Sequence, residues 1–188
     1  MKATTAAVFT FLLCVAYSAS AEPALKIVRV VDLNEVQCLA ENVYHEARGE
    51  SIAGMLAVAL VVKNRVENVR YPNTYCDVIK EGPVRESWKT RSKPFLDQSE
   101  RIYYPVRHRC QFSWYCDGRS DTIRKTGNKL WERTYTIARA VIQGVVYDFT
   151  DGSTHYHADY VSPSWAKKYE RVTSIEQHIF YRAKDVGK

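Results

Sequence analysis

Residues 41–50, ENVYHEARGE, carry three carboxylates and a histidine, the side chains best suited to moving protons. Wound as a helix, the stretch puts Leu39, Val43 and Ala47 on one face and sets Glu46 beside Leu39 on that apolar edge. Glu41, His45 and Arg48 lie round the back, where Glu41 and His45 are spaced to pair in water. The helix therefore has a polar face already, and Glu46 is not needed for solubility. An apolar setting raises a carboxyl pKa by disfavouring the charged form, and a glutamic acid still protonated near neutral pH is a general acid. On helical position alone the plainer reading stays open: a border glutamate that reaches solvent or binds an arginine. A second cluster lies in STHYHA. On a strand, His155 and His157 share a face and could hold zinc, with His178 or Asp159 as third ligand, although His-x-His pairs are common in strands without metal.

Period and punctuation indicate the elements that position these groups. Asp32 with Glu35 reads as a capping box, and Val36, Leu39, Ala40, Val43 and Ala47 form a helical stripe that ends at Gly49. Ser51 can cap a second helix, 52–66, whose run AGMLAVALVV is apolar nearly all round and predicts a buried core helix. YPNT breaks the chain before a short helix at 74–79. Residues 128–143 read as a third long helix, with Leu130, Ile137, Ala138, Val141 and Ile142 on its apolar side and Gly144 at its end. Beyond it, STHYHA, RVTSI and HIFYR are short β-branched and aromatic runs that read as strands, with a helix start at Ser162-Pro163. The expected class is α+β: one helix-rich domain with a small antiparallel sheet.

The N-terminus points to export. Residues 1–21 open with Lys2, run through twelve largely apolar residues from Ala6 to Tyr17, and close on Ala19-Ser20-Ala21, a pattern that a signal peptidase cuts. The apolar run is too short to span a bilayer, so no membrane insertion is expected once the leader is removed. Residues 22–188 then suit a single domain. They keep Cys38, Cys76, Cys110 and Cys116, an even number in a chain bound for an oxidising compartment. The five-residue gap in CQFSWYC favours Cys110 with Cys116, and hence Cys38 with Cys76, although four cysteines allow three pairings.

The net charge is +6, and residues 83–109 hold seven Lys or Arg against three acids, a local excess of +4. The segment also holds Trp88, Phe95, Tyr103 and Tyr104, and it shows no sustained period, so it reads as a long basic loop. Such a loop could touch nucleic acid or simply be solvated. In an exported protein an anionic envelope polymer is the better partner, and no nucleic-acid role is expected.

NVYHEARGES, the helix ending in VVKNRV, YPNTYCDVI, CQFSWYCDG, THYHADYVSPSWAKK and HIFYR together resemble, in the same order, the SleB-type cell wall hydrolase family. The resemblance implies a lysozyme-related α+β domain that cuts the glycan strands of peptidoglycan without a cofactor, secreted or held in the periplasm or cell envelope. It places the family's catalytic glutamate, the first of E-A-R-G-E, on Glu46. The basic loop is where the chain departs from shorter members. A phage lysin and a bacterial envelope enzyme fit equally, and the chain is expected to act as a monomer.

Glycosidic cleavage needs an acid for the leaving oxygen, plus a second carboxylate or an internal nucleophile for the oxocarbenium-like centre. Glu50, Asp117 and Asp121 are the candidates for a second carboxylate, each with a bland alternative as a helix-start or turn residue. Without one, the muramyl 6-hydroxyl can close on its own anomeric carbon, which is lytic transglycosylation. Sugar-binding walls should be aromatic and amide-bearing. Gln111, Ser113, Trp114, Tyr156 and His157 are the candidates, with the proviso that on a strand only one of the pairs Gln111/Ser113 and Phe112/Trp114 can face a groove. Hydrolytic muramidase or glucosaminidase action, a zinc amidase built on His155 and His157, and a non-catalytic wall-binding module are the rival readings.

Overall fold

The computed structural model describes residues 31–184; the expected leader, residues 1–21, lies outside them. Asp32 accepts a hydrogen bond from the Asn34 N–H at 2.8 Å and starts α1, Leu33–Ala47, whose Val36, Leu39, Ala40, Val43 and Ala47 are buried as the stripe predicts. Glu35 does not close the expected capping box. Its carboxylate accepts from the N–H groups of Tyr75 at 2.5 Å and Cys76 at 3.3 Å, amides that open another helix and have no partner within it.

Ser51 caps α2, Ile52–Val66. The helix is buried on opposite sides because it lies between two layers: Met55, Val58, Leu60 and Val62 join the core shared with α1, while Ala57 and Val61 turn the other way onto Phe180. Thr74 caps the short α3, Tyr75–Ile79, and a Cys38–Cys76 disulfide ties it to α1.

Residues 83–109 form a built arm rather than the structureless loop expected. β1, Val84–Glu86, leads through α4, Trp88–Arg91, and a 3-10 turn at Gln98–Glu100 to β2, Tyr103–Pro105, which returns antiparallel to β1. Arg101 bridges back to Glu86 at 2.7 Å. Three-residue strands are too short to show a period, which is why the sequence reads as a loop. QFSW is not a strand either. The Cys110–Cys116 disulfide and a His108 N–H to Cys116 C=O bond of 3.0 Å draw the chain into a tight loop, and Ser113–Cys116 becomes a 3-10 turn.

Asn128 caps α5, Lys129–Ile142, which lies against α1 and α2 and ends where Gly144 takes a φ of +72°, open to glycine without strain. β3, His155–Ala158, then precedes a 3-10 turn at Ser164–Lys168, β4, Tyr169–Ile175, and β5, His178–Ala183. They form an antiparallel sheet in the order β3-β5-β4. Tyr156 opposes Phe180 and Ala158 opposes His178, so Tyr156 and His178 share the face toward α2, and His155 and His157 take the other. The class is the α+β expected, with small antiparallel sheets.

Candidate active site

Glu46 sits in the last turn of α1, above the sheet face that carries Tyr156, and two hollows open on it. One, of about 420 Å³, is lined by His45, Glu46, Glu50, Tyr160 and His178. The other, of about 180 Å³, is lined by Glu46, Arg65, Gln111, Ser113 and Tyr156. The Tyr156 hydroxyl donates to Glu46 Oε2 at 3.0 Å. Burial pushes the Glu46 carboxyl above the usual glutamate range, against the smaller opposite pulls of the Tyr156 hydrogen bond and the Arg65 charge. Tyr156 is itself held well above the usual phenol range, first by burial and then by Glu46, so it remains a donor.

Arg65 is a site residue that sequence reasoning missed. It is 5 % exposed, its Nε donates to the Thr154 carbonyl at 2.7 Å, and its guanidinium lies over the rings of Phe112 and Tyr71 at 5.2 and 5.6 Å. Its Nη1 is buried with no hydrogen-bond partner among the described residues. The available signal was a pair of cations, Lys63 and Arg65, in the last turn of a helix that is apolar nearly all round, so that one of the two had to be buried.

Glu50 does not continue the Glu46 face one turn on. The helix has ended at Ala47, and the Glu50 carboxylate folds over Gly54, where a Cβ would stand 2.6 Å from Oε2. Its Oε1 lies 3.6 Å from His178 Nδ1. Burial holds His178 below the usual imidazole value, with Glu50 pulling the other way. Thus Glu50 and His178 do share a cavity with Glu46, but they face each other within it.

Gln111, Phe112 and Ser113 all line the Arg65 side of the site, and Phe112, only 3 % exposed, is at the same time part of the core. Trp114 lines neither hollow. Its indole N–H donates to Asn42 Oδ1 at 2.9 Å, and its ring stacks on His45 with centroids 4.5 Å apart. His45 therefore does not make the expected pair with Glu41, which instead accepts from Gln37 at 2.9 Å and bridges to Lys125 at 3.3 Å. Asp117 accepts from the Arg119 N–H in a turn and Asp121 stands beside His45; neither lines a hollow at Glu46.

His157 lies on the far face of the sheet from Glu46. Its ring nitrogens are 2.9 Å from the Tyr181 hydroxyl and 2.8 Å from the Ala158 carbonyl, and His155 packs against Trp165 and Tyr169. His178 points from the opposite face, so the rival zinc reading does not gain His178 as a third ligand to His155 and His157. Among the described residues no group of three or more His, Cys, Asp or Glu is placed to hold a metal ion.

The family model described as Cell Wall Hydrolase matches residues 49–181, a stretch that begins just after Glu46 and spans most of the chain. A spore cortex-lytic enzyme of Bacillus cereus is 48% identical over 48 residues, covering 26% of this chain and 18% of that protein. One from Oceanobacillus iheyensis is 39% identical over 59 residues, covering 31% of this chain and 21% of that protein. The matched stretch is thus about a fifth of these relatives' length. In three dimensions the chain resembles the catalytic domain of the Bacillus cereus SleB protein, with a TM-score of 0.54 and 26% identity over 82% of this chain and 94% of that one. It also resembles the catalytic domain of the germination-specific lytic transglycosylase SleB from Bacillus anthracis, with a TM-score of 0.53 and 25% identity over 82% of this chain and 98% of that one. Sequence over most of the chain and fold agree: this chain belongs to the cell wall hydrolase family.

Proposed function

We propose that this chain cleaves the glycan strands of peptidoglycan outside the cytoplasm by lytic transglycosylation, with Glu46 as the acid and then the base. The observation that carries the reading is a carboxyl group raised by burial, hydrogen-bonded by Tyr156, and open to hollows on both sides. In the first half of the reaction Glu46 gives its proton to the bridging oxygen as the C1–O bond of the muramyl sugar breaks. In the second half the Glu46 carboxylate takes the proton of the muramyl 6-hydroxyl while that oxygen bonds to C1. Opposed effects suit the two roles: burial favours the protonated acid, whereas Tyr156 and Arg65 favour the carboxylate. Gln111 and Ser113, which line the smaller hollow, would hydrogen-bond the sugar hydroxyls and acetamides.

One observation favours a hydrolytic alternative. Glu50 lines the same hollow as Glu46 and keeps a buried Oε2 without a hydrogen-bond partner among the described residues, so it is the carboxylate that would activate a water. Purified sacculi test the glycan reading against amide cleavage. Soluble fragments that carry both sugar and peptide support it, and free peptides with intact glycan chains oppose it.

Tyr156→Phe should move the pH dependence in a defined direction. The phenol donates to the charged form of Glu46, so its removal raises the Glu46 pKa further. Activity that needs protonated Glu46 then persists to higher pH, and the alkaline fall of the pH–rate profile shifts upward. A profile with its alkaline fall unmoved would separate Tyr156 from the acid.

A further inference from the structure

The arm between β1 and β2 encloses a groove of about 590 Å³, a size that suits a small molecule or a short peptide, and Glu46 has no part in it. Arg85, Lys89, Arg91 and Arg107 line it against a single acid, Glu86, which Arg101 already neutralises at 2.7 Å. Among the described residues the side chains of Arg85, Lys89 and Arg91 have no ion pair or hydrogen bond, and Arg107 spends only its Nε, on the Asp117 carbonyl at 3.0 Å. Trp88 and Tyr104, also in the lining, are 70% and 58% exposed. Unpaired cations gathered beside exposed rings are arranged for a ligand that carries oxyanions on a partly apolar frame.

The base of the arm is fixed to the Glu46 site. Val106 N–H donates to Pro83 C=O and Gln111 N–H to Glu81 C=O, both at 2.8 Å, and the Cys110–Cys116 disulfide closes the next loop. Arg107 of the groove is therefore only a few residues along a braced chain from Cys110, Gln111 and Ser113, which wall the smaller hollow at Glu46. A strand held at Glu46 would carry peptide stems on its muramyl sugars. Those stems are short, extended and rich in free carboxylates, and guanidinium groups grip carboxylates in bidentate pairs. The two-stranded hairpin also leaves an open edge of each strand for an extended peptide. A nucleic acid or a long phosphate polymer draws its affinity from many phosphates along a track, which a groove this short does not provide.

We propose that this groove binds the carboxylate-bearing peptide stem of the glycan that Glu46 cuts, and so selects peptide-substituted over bare strands; the inference rests on the peptidoglycan reading above. The test is calorimetric titration of the full chain with a soluble N-acetylglucosaminyl-N-acetylmuramyl tetrapeptide, the same compound with its carboxylates amidated, and a poly(glycerol phosphate). Neutralising the groove with Arg85→Gln, Lys89→Gln and Arg91→Gln together should weaken binding of the free-acid compound at least ~10-fold, as expected for lost charge-assisted hydrogen bonds. The amidated compound should bind the unaltered protein as weakly, an arm that needs no variant to fold. Equal binding by protein and triple variant, equal binding of the amidated compound, or tighter binding of the phosphate polymer would each overturn the proposal. Because the readout is binding, it is independent of Glu46 turnover. A flat titration beside Glu46-dependent lysis sinks the groove alone, and lysis that survives loss of Glu46 sinks the catalytic reading alone.

Discussion

Glu46→Gln should abolish most lysis of purified sacculi, by at least ~10²-fold, while the protein stays folded. Glutamine keeps the size of the side chain and still accepts from the Tyr156 hydroxyl, but it has no proton to deliver to a leaving oxygen. The same variant should be no less stable, and the sign follows from burial. A carboxyl whose folded pKa is raised costs the native state stability as pH climbs from the ordinary glutamate value toward the raised one, because the unfolded chain ionises first. Glutamine escapes that cost, so its melting temperature relative to the parent should rise at neutral pH and the gap should close in acid. Glu41→Gln is the control for activity: that carboxylate pairs with Gln37 and Lys125 away from both hollows, and its loss should matter little. Near-normal lysis by Glu46→Gln would remove Glu46 from the mechanism.

The largest loss of stability is expected from opening the Cys38–Cys76 disulfide. The bond joins residues 38 apart and ties α1 to α3, so it restricts a long stretch of the unfolded chain. Chain entropy for a loop of that length gives about 4 kcal/mol. That is a large share of the roughly 5–15 kcal/mol that holds a domain together, and it corresponds to a fall of roughly 10 °C in melting temperature. Replacing both cysteines with alanine and following thermal unfolding checks it; an unchanged melting temperature would deny the bond a structural role. The Cys110–Cys116 bond spans only six residues and should contribute about 2 kcal/mol by the same reasoning. Its loss should show more in activity, because Cys110 and its neighbours Gln111 and Ser113 form one wall at Glu46.

The helices were legible in the sequence because each buries a regular stripe: α1 through Val36, Leu39, Ala40, Val43 and Ala47, and α5 through Ile137, Ala138 and Val141. Spacing favoured both cysteine pairs that form, although it left the other two pairings open. The position of Glu46 on an apolar edge was legible too, and the geometry adds what sequence could not: which hydroxyl donates to it and which cation stands nearby. Other features depend on partners distant in the chain. Glu35 has the spacing of a capping box yet serves the amides of Tyr75 and Cys76, a choice made by the packing of α3 on α1. Arg65 drew no reading from the sequence, because only the return of the chain just ahead of β3 brings the Thr154 carbonyl to its Nε. Trp114 and His157 were sound candidates by residue type, but the 3-10 turn at Ser113–Cys116 commits Trp114 to Asn42 and His45, and strand alternation turns His157 away from Glu46. The basic arm hid its hairpin because a three-residue strand carries no pattern.

Mass spectrometry of sacculi digested in parallel by the protein and by Glu46→Gln tests the central claim most directly. If Glu46 protonates the bridging oxygen and then draws the proton from the muramyl 6-hydroxyl, no water enters the products. The parent digest should then be dominated by muropeptides that end in 1,6-anhydro-muramic acid, each lighter by one water than its hydrolytic counterpart, and the variant digest should lack them. Reducing-end sugars as the main product would contradict the transglycosylase account and move attention to Glu50, and anhydro ends formed undiminished by Glu46→Gln would contradict the role of Glu46.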